Sequence, residues 1–153
     1  MTERDTLAEV LRERFKELEL AHKALDLSYR RIVDAEMIDA LALSDDGLIE
    51  IEAFTARFAR LVDVYVQQVL RSIDEWELQE PGSLLDRIAR AEKRGWVSKA
   101  ADLIAARALR NRIAHEYDAE GWRQIARAAY ALVPALLLAA ERTLATPPRH
   151  LGN

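Results

Sequence analysis

The sequence feature that most constrains the fold of this 153-residue chain is an apolar repeat near its N-terminus. Apolar residues recur at seven-residue steps, at Leu11, Leu18, Leu25 and Ile32. A second set follows the first three of these by four residues each, at Phe15, His22 and Tyr29. Because residues four and seven apart lie on one face of an α-helix, the repeat predicts an amphipathic helix over about residues 6–32.

The rest of the chain keeps the helical period, and no segment alternates as a β-strand would. A short helix is predicted over 34–43, and Ser44 offers an N-cap side chain to a long helix over 47–76. The apolar residues of this long helix follow at three- and four-residue steps: Ile51, Phe54, Phe58, Leu61, Val62, Tyr65, Val69 and Ile73. The sequence therefore predicts an all-α protein.

Local signals place the ends of the later helices. Ser83 and Asp86 form a predicted capping box, and Gly95 stands where a C-cap glycine belongs. Ser98 is the predicted cap of the helix that follows. The predicted ranges of the last three helices are 83–94, 99–117 and 122–146.

Short connections between long amphipathic helices favour antiparallel neighbours, so the predicted fold is an up-and-down antiparallel helical bundle in one domain, 1–153. Residues 47–146 form the predicted bundle. Residues 6–43 are predicted to be an N-terminal helical extension, and residues 147–153 a frayed tail. Helical bundles host many functions, so the fold alone predicts no chemistry.

Composition narrows the class of protein. The chain has no cysteine, which excludes disulfides, iron–sulfur clusters and thiolate zinc sites and favours a reducing compartment. The charged N-terminus lacks the apolar stretch of a signal peptide, so we expect a cytoplasmic protein. The longest apolar run, 128–140, is shorter than the roughly 20 residues of a membrane span, and we interpret it as a buried helix. The three histidines are scattered, so we predict no metal site and no cofactor.

The formal net charge of −4 argues against sequence-blind binding of nucleic acid over the whole surface. One region differs, because eight basic residues outnumber three acidic residues between Leu85 and His115. The basic residues are at 87, 90, 93, 94, 99, 107, 110 and 112, and the acidic ones at 86, 92 and 102. Arginine is abundant throughout the chain, so a solvated helical surface explains this region equally well.

The chemistry-bearing motif is Arg110-Asn111-Arg112-Ile113-Ala114-His115-Glu116-Tyr117. On a helix that advances about 100° per residue, Arg110 and Tyr117 share an outward line, opposite a face that we expect in the core. The residues predicted to face the core are Ala101, Ile104, Ala105, Ala108, Leu109 and Ile113. Asn111 and His115 form an i, i+4 pair on one flank. Arg110 and His115 would meet only through arginine's reach, fraying of the helix end, or a partner subunit.

Residues of these types suit phosphodiester chemistry. A guanidinium binds a phosphate bidentately and stays charged at physiological pH. An imidazole can take a proton from a ribose 2′-OH or give one to the leaving oxygen. Tyrosine can stack on a base or donate a hydrogen bond. These groups are sufficient for metal-independent cleavage of RNA, in which the 2′-OH attacks the adjacent phosphate.

The pattern Arg-Asn-x3-His-x-Tyr resembles the signature of the HEPN superfamily, and its His-x-Tyr end is similar to that of the HepT-like toxins. The resemblance covers about residues 47–146 and implies a HEPN-like bundle that forms a homodimer, with two motifs lining a shared cleft. It implies Arg110 and His115 as catalytic residues of an endoribonuclease that acts on RNA. Asn111 occupies the polar position of the signature, and Arg112 is a second supporting candidate.

The resemblance also implies a partner. In HepT-like systems a minimal nucleotidyltransferase antitoxin silences the toxin by adenylylating a tyrosine, and Tyr117 stands in that position. This chain has no nucleotidyltransferase signature of its own, so it would be the acceptor of the nucleotide.

Two other functions fit the same residues. The chain could be a non-catalytic HEPN subunit that binds nucleotide or substrate for a partner nucleotidyltransferase. It could also be a structural helical oligomerisation module, assembled through the seven-residue stripe of its first helix. In that case Arg110 and His115 would serve the C-terminal dipole of their helix, and Tyr117 would pack.

Overall fold

A computed structural model of the chain describes residues 1–80 and 82–151. The helices are α1 (Glu3–Arg31), α2 (Ala35–Leu41), α3 (Asp45–Val62), α4 (Leu70–Trp76), α5 (Leu84–Lys93), α6 (Ala100–Ile113) and α7 (Ala119–Ala145). A π-helical segment, Asp63–Val69, joins α3 to α4. Among the described residues there is no β-strand. The prediction of an all-α helical bundle is therefore confirmed.

The apolar stripe of α1 lies in the centre of the bundle. Leu11, Leu18 and Leu25 are fully buried, and the helix packs against α3, the π-helical segment, α4 and α7. It begins before the predicted residue 6, because Thr2 and Asp5 form a capping box in which each side chain accepts the other's backbone N–H. Residues 6–43, predicted as an extension, thus share one core with residues 47–146.

The long helix predicted over 47–76 contains a change of helical period. Ser44 caps α3, as predicted, by accepting the backbone N–H of Gly47 at 3.0 Å. The π-helical segment then uses i→i+5 hydrogen bonds in place of i→i+4. Three consecutive residues of this segment, Val64, Tyr65 and Val66, are all buried, which a regular α-helix of period 3.6 rarely achieves on one packed face.

Two predictions are confirmed at the two ends of α5, and one is contradicted at the start of α6. The capping box of Ser83 and Asp86 is present, and Gly95 adopts φ +82° after α5, a conformation that glycine allows without a steric penalty. The cap predicted at Ser98 is wrong. Lys99 holds the N-cap position without a side-chain bond, and the Glu92 carboxylate instead accepts the backbone N–H of Ala100 at 2.6 Å.

The predicted end of α6 is also wrong. The helix stops at Ile113, four residues before the predicted Tyr117, and α7 begins at Ala119 instead of residue 122. Two carboxylates explain the earlier break. Glu116 accepts the backbone N–H of Tyr117 at 3.2 Å, and Asp118 accepts that of Gly121 at 2.7 Å as the N-cap of α7.

The orientation of α6 differs from the prediction as well. Of the residues predicted to face the core, Leu109 is buried and Ile113 is half-buried. The other four are exposed, and we refer to them as the outer face of α6: Ala101, Ile104, Ala105 and Ala108. The core side of the helix carries Leu103 and Ala106. Both sides of α6 are apolar, so periodicity alone does not decide which one is buried.

The last helix and the segment after it close the bundle. By length and composition α7 could cross a membrane, with a mean hydropathy of 1.3 in its most apolar stretch, of which 39% is buried. The predicted frayed tail lies against α4, where the indole N–H of Trp76 donates to the Arg149 carbonyl at 3.1 Å and Pro148 is buried. Gly152 and Asn153, the end of that predicted tail, lie outside the described residues.

Candidate functional site

Arg110 is held by an aspartate on another helix. Its Nε donates to Asp63 Oδ1 at 2.7 Å, and this hydrogen bond raises the pKa of the guanidinium above its usual value. Asp63 is the first residue of the π-helical segment, so the change of helical period begins where α3 meets the motif. The two side chains are 33% and 32% exposed. Arg110 is therefore neither a free surface cation nor buried, and its terminal nitrogens make no hydrogen bond within the described residues.

The Arg110–Asp63 pair lies in an open groove of about 560 Å³ between α1, α3 and α6. Two more arginines line it, Arg14 from α1 and Arg60 from α3. Arg14 Nη1 donates to Glu17 at 3.1 Å and to Gln68 Oε1 at 3.3 Å. We call this feature the arginine groove, defined by its polar lining: Arg14, Glu17, Arg60, Asp63, Gln68 and Arg110.

The other motif residues lie at the C-terminal end of α6 and beyond it. Asn111 accepts a hydrogen bond from Arg107 Nη1 at 3.0 Å, and within the described residues no hydrogen bond joins it to His115. His115 and Arg112 are exposed. Ala114, the residue before His115, lines the arginine groove, whereas His115 does not.

Tyr117 is 90% exposed in the connection between α6 and α7. The outward line that it was predicted to share with Arg110 is wrong, because the helix ends at Ile113. The structure therefore separates the environments of the motif residues. Arg110 is in the groove, His115 is at the end of α6, and the phenol of Tyr117 is open to solvent.

Several basic side chains between Leu85 and His115 bind other residues of the chain. Arg90 and Arg94 donate to the buried carboxylate of Asp74 at 2.8 and 3.1 Å, and Arg94 also pairs with Glu77 at 2.6 Å. Arg87 Nη1 donates to the backbone carbonyl of Val66 at 3.2 Å. These arginines bind α5 to the long helix, so the local excess of basic residues does not by itself define a binding surface.

Two residues of the groove, Asp63 and Arg14, were not identified from the sequence. Asp63 is 47 residues from Arg110 along the chain, and Arg14 belongs to a helix predicted as an extension. Asp63 did leave a signal, because it interrupts the apolar run Leu61-Val62-Asp63-Val64-Tyr65-Val66. A charge at the centre of such a run needs a partner. Arg14 left none, since charged residues are frequent along all of α1.

In residues 1–80 and 82–151 no three His, Asp or Glu side chains are close enough together to hold a metal ion. Comparison of the chain with known protein families, with characterised proteins and with solved structures finds no significant match. The chain folds as an all-α helical bundle.

Proposed function

We propose that this chain is a HEPN-type protein, HepT-like, that cleaves RNA without a metal ion. The observation that carries the proposal is the motif Arg110-Asn111-x3-His115-x-Tyr117, at the end of a helix that borders an open groove. The guanidinium of Arg110 keeps two terminal nitrogens for a phosphate while Asp63 holds its Nε. The absence of cysteine favours action in the cytoplasm.

The proposed reaction is an attack of the ribose 2′-oxygen on the adjacent phosphorus. The imidazole of His115 takes the 2′-OH proton, the new P–O2′ bond forms, and the P–O5′ bond breaks. The 5′-oxygen leaves with a proton from solvent. Arg110 offsets the negative charge that builds up on the phosphoryl oxygens. The products are a 2′,3′-cyclic phosphate and a 5′-hydroxyl.

A homodimer would place two copies of His115 at one interface. Within the described residues Arg110 and His115 share no hydrogen bond, as expected from their spacing. The outer face of α6 is apolar and unpartnered, and Arg112, four residues after Ala108, continues it towards His115. Packing two copies through this face, with a two-fold axis near the C-terminal end of α6, would cover apolar surface and bring two histidines together, while Arg110 stays in the groove on the other side of the helix. The apolar stripe of α1 does not form the dimer interface, because Leu11, Leu18 and Leu25 are buried within one subunit.

The test compares wild type, His115→Ala and the matched control His150→Ala in a buffer that contains EDTA. We expect wild type and His150→Ala to cut single-stranded RNA and leave cyclic phosphate ends. We expect His115→Ala to lose about 100-fold or more of the rate, as for removal of a general acid–base group. Equal rates for wild type and His115→Ala would refute the catalytic role.

Regulation by a minimal nucleotidyltransferase antitoxin is the second part of the proposal. Exposure of 90% makes the Tyr117 phenol accessible to another enzyme. Its oxygen would attack the α-phosphorus of ATP and displace pyrophosphate, while the transferase accepts the phenolic proton. Mass spectrometry after incubation with ATP and a nucleotidyltransferase encoded beside this chain would detect the adenylyl group. Tyr117→Phe would abolish the adduct, and Tyr130→Phe would retain it.

A non-catalytic HEPN subunit is the second candidate function. The ion pair with Asp63 favours it, because that pair neutralises the one motif arginine in the groove. In this case Tyr117 would still accept the adenylyl group, whereas RNA would remain intact with wild type and with His115→Ala alike. The two assays together therefore separate a nuclease from a subunit that only presents a substrate.

A further inference from the structure

The arginine groove combines side chains from three separate helices. Arg14 comes from α1, Arg60 from α3 and Arg110 from α6, whereas Glu17 and Asp63 contribute the two carboxylates of the lining. The groove therefore carries a formal charge of +1 in a chain whose net charge is −4. A cationic groove in an acidic protein raises the local concentration of anions.

The acidic and amide groups of the groove hold the arginines without using all their donors. Asp63 takes only Nε of Arg110, and Glu17 and Gln68 both take Nη1 of Arg14. A guanidinium has five N–H donors in a planar fork, so most of the donors of both arginines remain for a ligand. Arg60 is exposed and makes no hydrogen bond within the described residues.

We propose that the arginine groove binds the sugar–phosphate backbone of single-stranded RNA beside the scissile phosphate. This inference rests on the proposed function and extends it from the motif to α1 and α3. A nucleic-acid strand presents a row of single negative charges, and three arginines from three different helices line this open groove. The groove ends at Ala114, the residue before His115, so a strand that leaves it at this end would extend towards the proposed catalytic histidine.

The lining also indicates how the strand would be read. None of the described residues that line the groove is aromatic, so the groove offers no platform for stacking bases. Contacts from guanidinium groups to phosphates position a strand and carry no sequence information. We therefore expect binding that is salt-dependent and tolerant of sequence. The first helix gains a role from this assignment, because Arg14 extends the phosphate-binding surface beyond the motif.

The experiment measures fluorescence anisotropy with a labelled 2′-O-methyl RNA 20-mer, which has no free 2′-OH and cannot be cleaved. Arg60→Ala is the main variant, because Arg60 is exposed and its loss leaves the fold intact. Arg71→Ala is the matched control, since Arg71 is an exposed arginine of α4 outside the groove. Both changes remove one positive charge, so a general charge effect would act on them equally.

We expect Arg60→Ala to weaken binding about 3- to 10-fold more than Arg71→Ala does. The slope of log K against log salt should fall by about 0.7, the value for one phosphate contact on a single strand. Arg60→Lys should recover part of the affinity. Equal affinities for Arg60→Ala and Arg71→Ala would overturn the assignment, as would a wild-type protein that does not bind the 20-mer. If Arg60→Ala lost binding to a nucleotidyltransferase but kept its RNA binding, the groove would belong to a protein partner. That result would also overturn the assignment.

The cleavage assay keeps this inference separate from the proposed function. If cleavage depends on His115 but Arg60→Ala and Arg71→Ala bind RNA equally well, RNA binding by the groove is refuted and the nuclease function stands. If RNA affinity depends on Arg60 but wild type cleaves no RNA, the groove stands as an RNA-binding surface and the nuclease function is refuted.

Discussion

At the scale of single residues, the contact between Arg110 and Asp63 connects the fold to the motif. Both side chains are about one-third exposed, and solvent-accessible ion pairs contribute about 0–1 kcal/mol to stability. The contact is therefore a weak source of stability. Its stronger effect is geometric, because a guanidinium held at Nε by a fixed carboxylate presents its terminal nitrogens in a defined direction.

Removing the Asp63 carboxylate tests this geometric role. We expect Asp63→Ala to lower the RNA cleavage rate about 10-fold, because Arg110 loses the group that orients it. Asp63→Asn should lose less, since an amide oxygen still accepts the Nε hydrogen bond. Thermal and urea denaturation should show a change in the free energy of unfolding of about 1 kcal/mol or less for both variants. Wild-type cleavage by Asp63→Ala would show that the contact is only structural.

A buried hydroxyl pair fixes another residue of the π-helical segment. Tyr65 is fully buried, and its hydroxyl lies 2.8 Å from Thr143 Oγ1. Because Thr143 donates its own hydrogen to the Ala139 carbonyl, Tyr65 must be the donor between the two hydroxyls. Burial raises the pKa of the Tyr65 phenol to about 12.

This pKa predicts sensitivity to alkali. The phenol ionises near its usual pKa of 10.0 when unfolded and near 12 when folded. The neutral phenol therefore stabilises the folded state below pH 10, and that contribution is lost as pH rises through 12. Tyr65→Phe should cost about 1 kcal/mol at pH 7 through its lost hydrogen bond, yet unfold at a higher pH than wild type. Urea denaturation at pH 7 measures the first effect, and circular dichroism between pH 8 and 12.5 measures the second. An unchanged alkaline midpoint would contradict the assignment.

At the scale of helices, local signals predicted the ends that depend on local chemistry. Ser44, Ser83 and Gly95 stand where the sequence placed them, because caps act through side chains within three residues. The end of α6 was not predicted, since Arg110 to Tyr117 contains neither glycine nor proline. It depends on the carboxylates of Glu116 and Asp118, which accept backbone N–H groups within three residues, so a local signal was present and the prediction missed it.

The orientation of α6 escaped sequence analysis for a different reason. Alanine and isoleucine occupy one side of the helix, and leucine and alanine the other, so two opposite faces fit the helical period. Packing against α3, α5 and α7 buries the side with Leu103 and Leu109. The position of the motif around the helix follows from that choice, and so does the contact of Arg110 with Asp63.

The close approach of α2 to α3 gives a prediction at the same scale. A Cβ added to Gly47 would lie 1.9 Å from the backbone oxygen of Leu41, so a side chain at this position forces the two helices apart. We expect Gly47→Ala to lower the free energy of unfolding by about 1–3 kcal/mol. Gly121→Ala is the matched control, because Gly121 holds the equivalent position of α7 and its added methyl meets only the movable Glu116 side chain. Urea denaturation of both variants measures the difference. Equal losses would contradict the backbone clash.

At the scale of the whole molecule, the outer face of α6 is an apolar surface without a partner among the described residues. Its four residues are apolar and small or medium in size, which permits close approach of a second helix. The face leads towards Arg112 and His115 at the end of the helix. Assembly and activity are therefore expected to depend on the same surface.

A charge placed on this face should separate assembly from folding. We expect Ala105→Glu to convert a dimer to a monomer and to lower RNA cleavage about 10-fold or more, with an unchanged circular dichroism spectrum. Ala53→Glu is the control, because Ala53 is also an exposed alanine and lies on α3. Size-exclusion chromatography with light scattering gives the mass of each variant. A wild-type protein that is monomeric at assay concentration and still active would refute the need for a dimer.

The π-helical segment has a consequence for insertions and deletions. A hydrogen bond closed over five residues accommodates one more residue than a turn closed over four, so Asp63–Val69 absorbs an extra residue inside an otherwise continuous helix. Deleting one residue there, such as Gln67, would restore a uniform α-helix and leave α3 and α4 close to their present orientation about the helix axis. The same deletion within α3 or α4 would rotate one helix by about 100° relative to the other, so that only one of them could keep its side of the core. The π-helical segment is thus the place in this long helix where the loss of one residue is most readily accommodated.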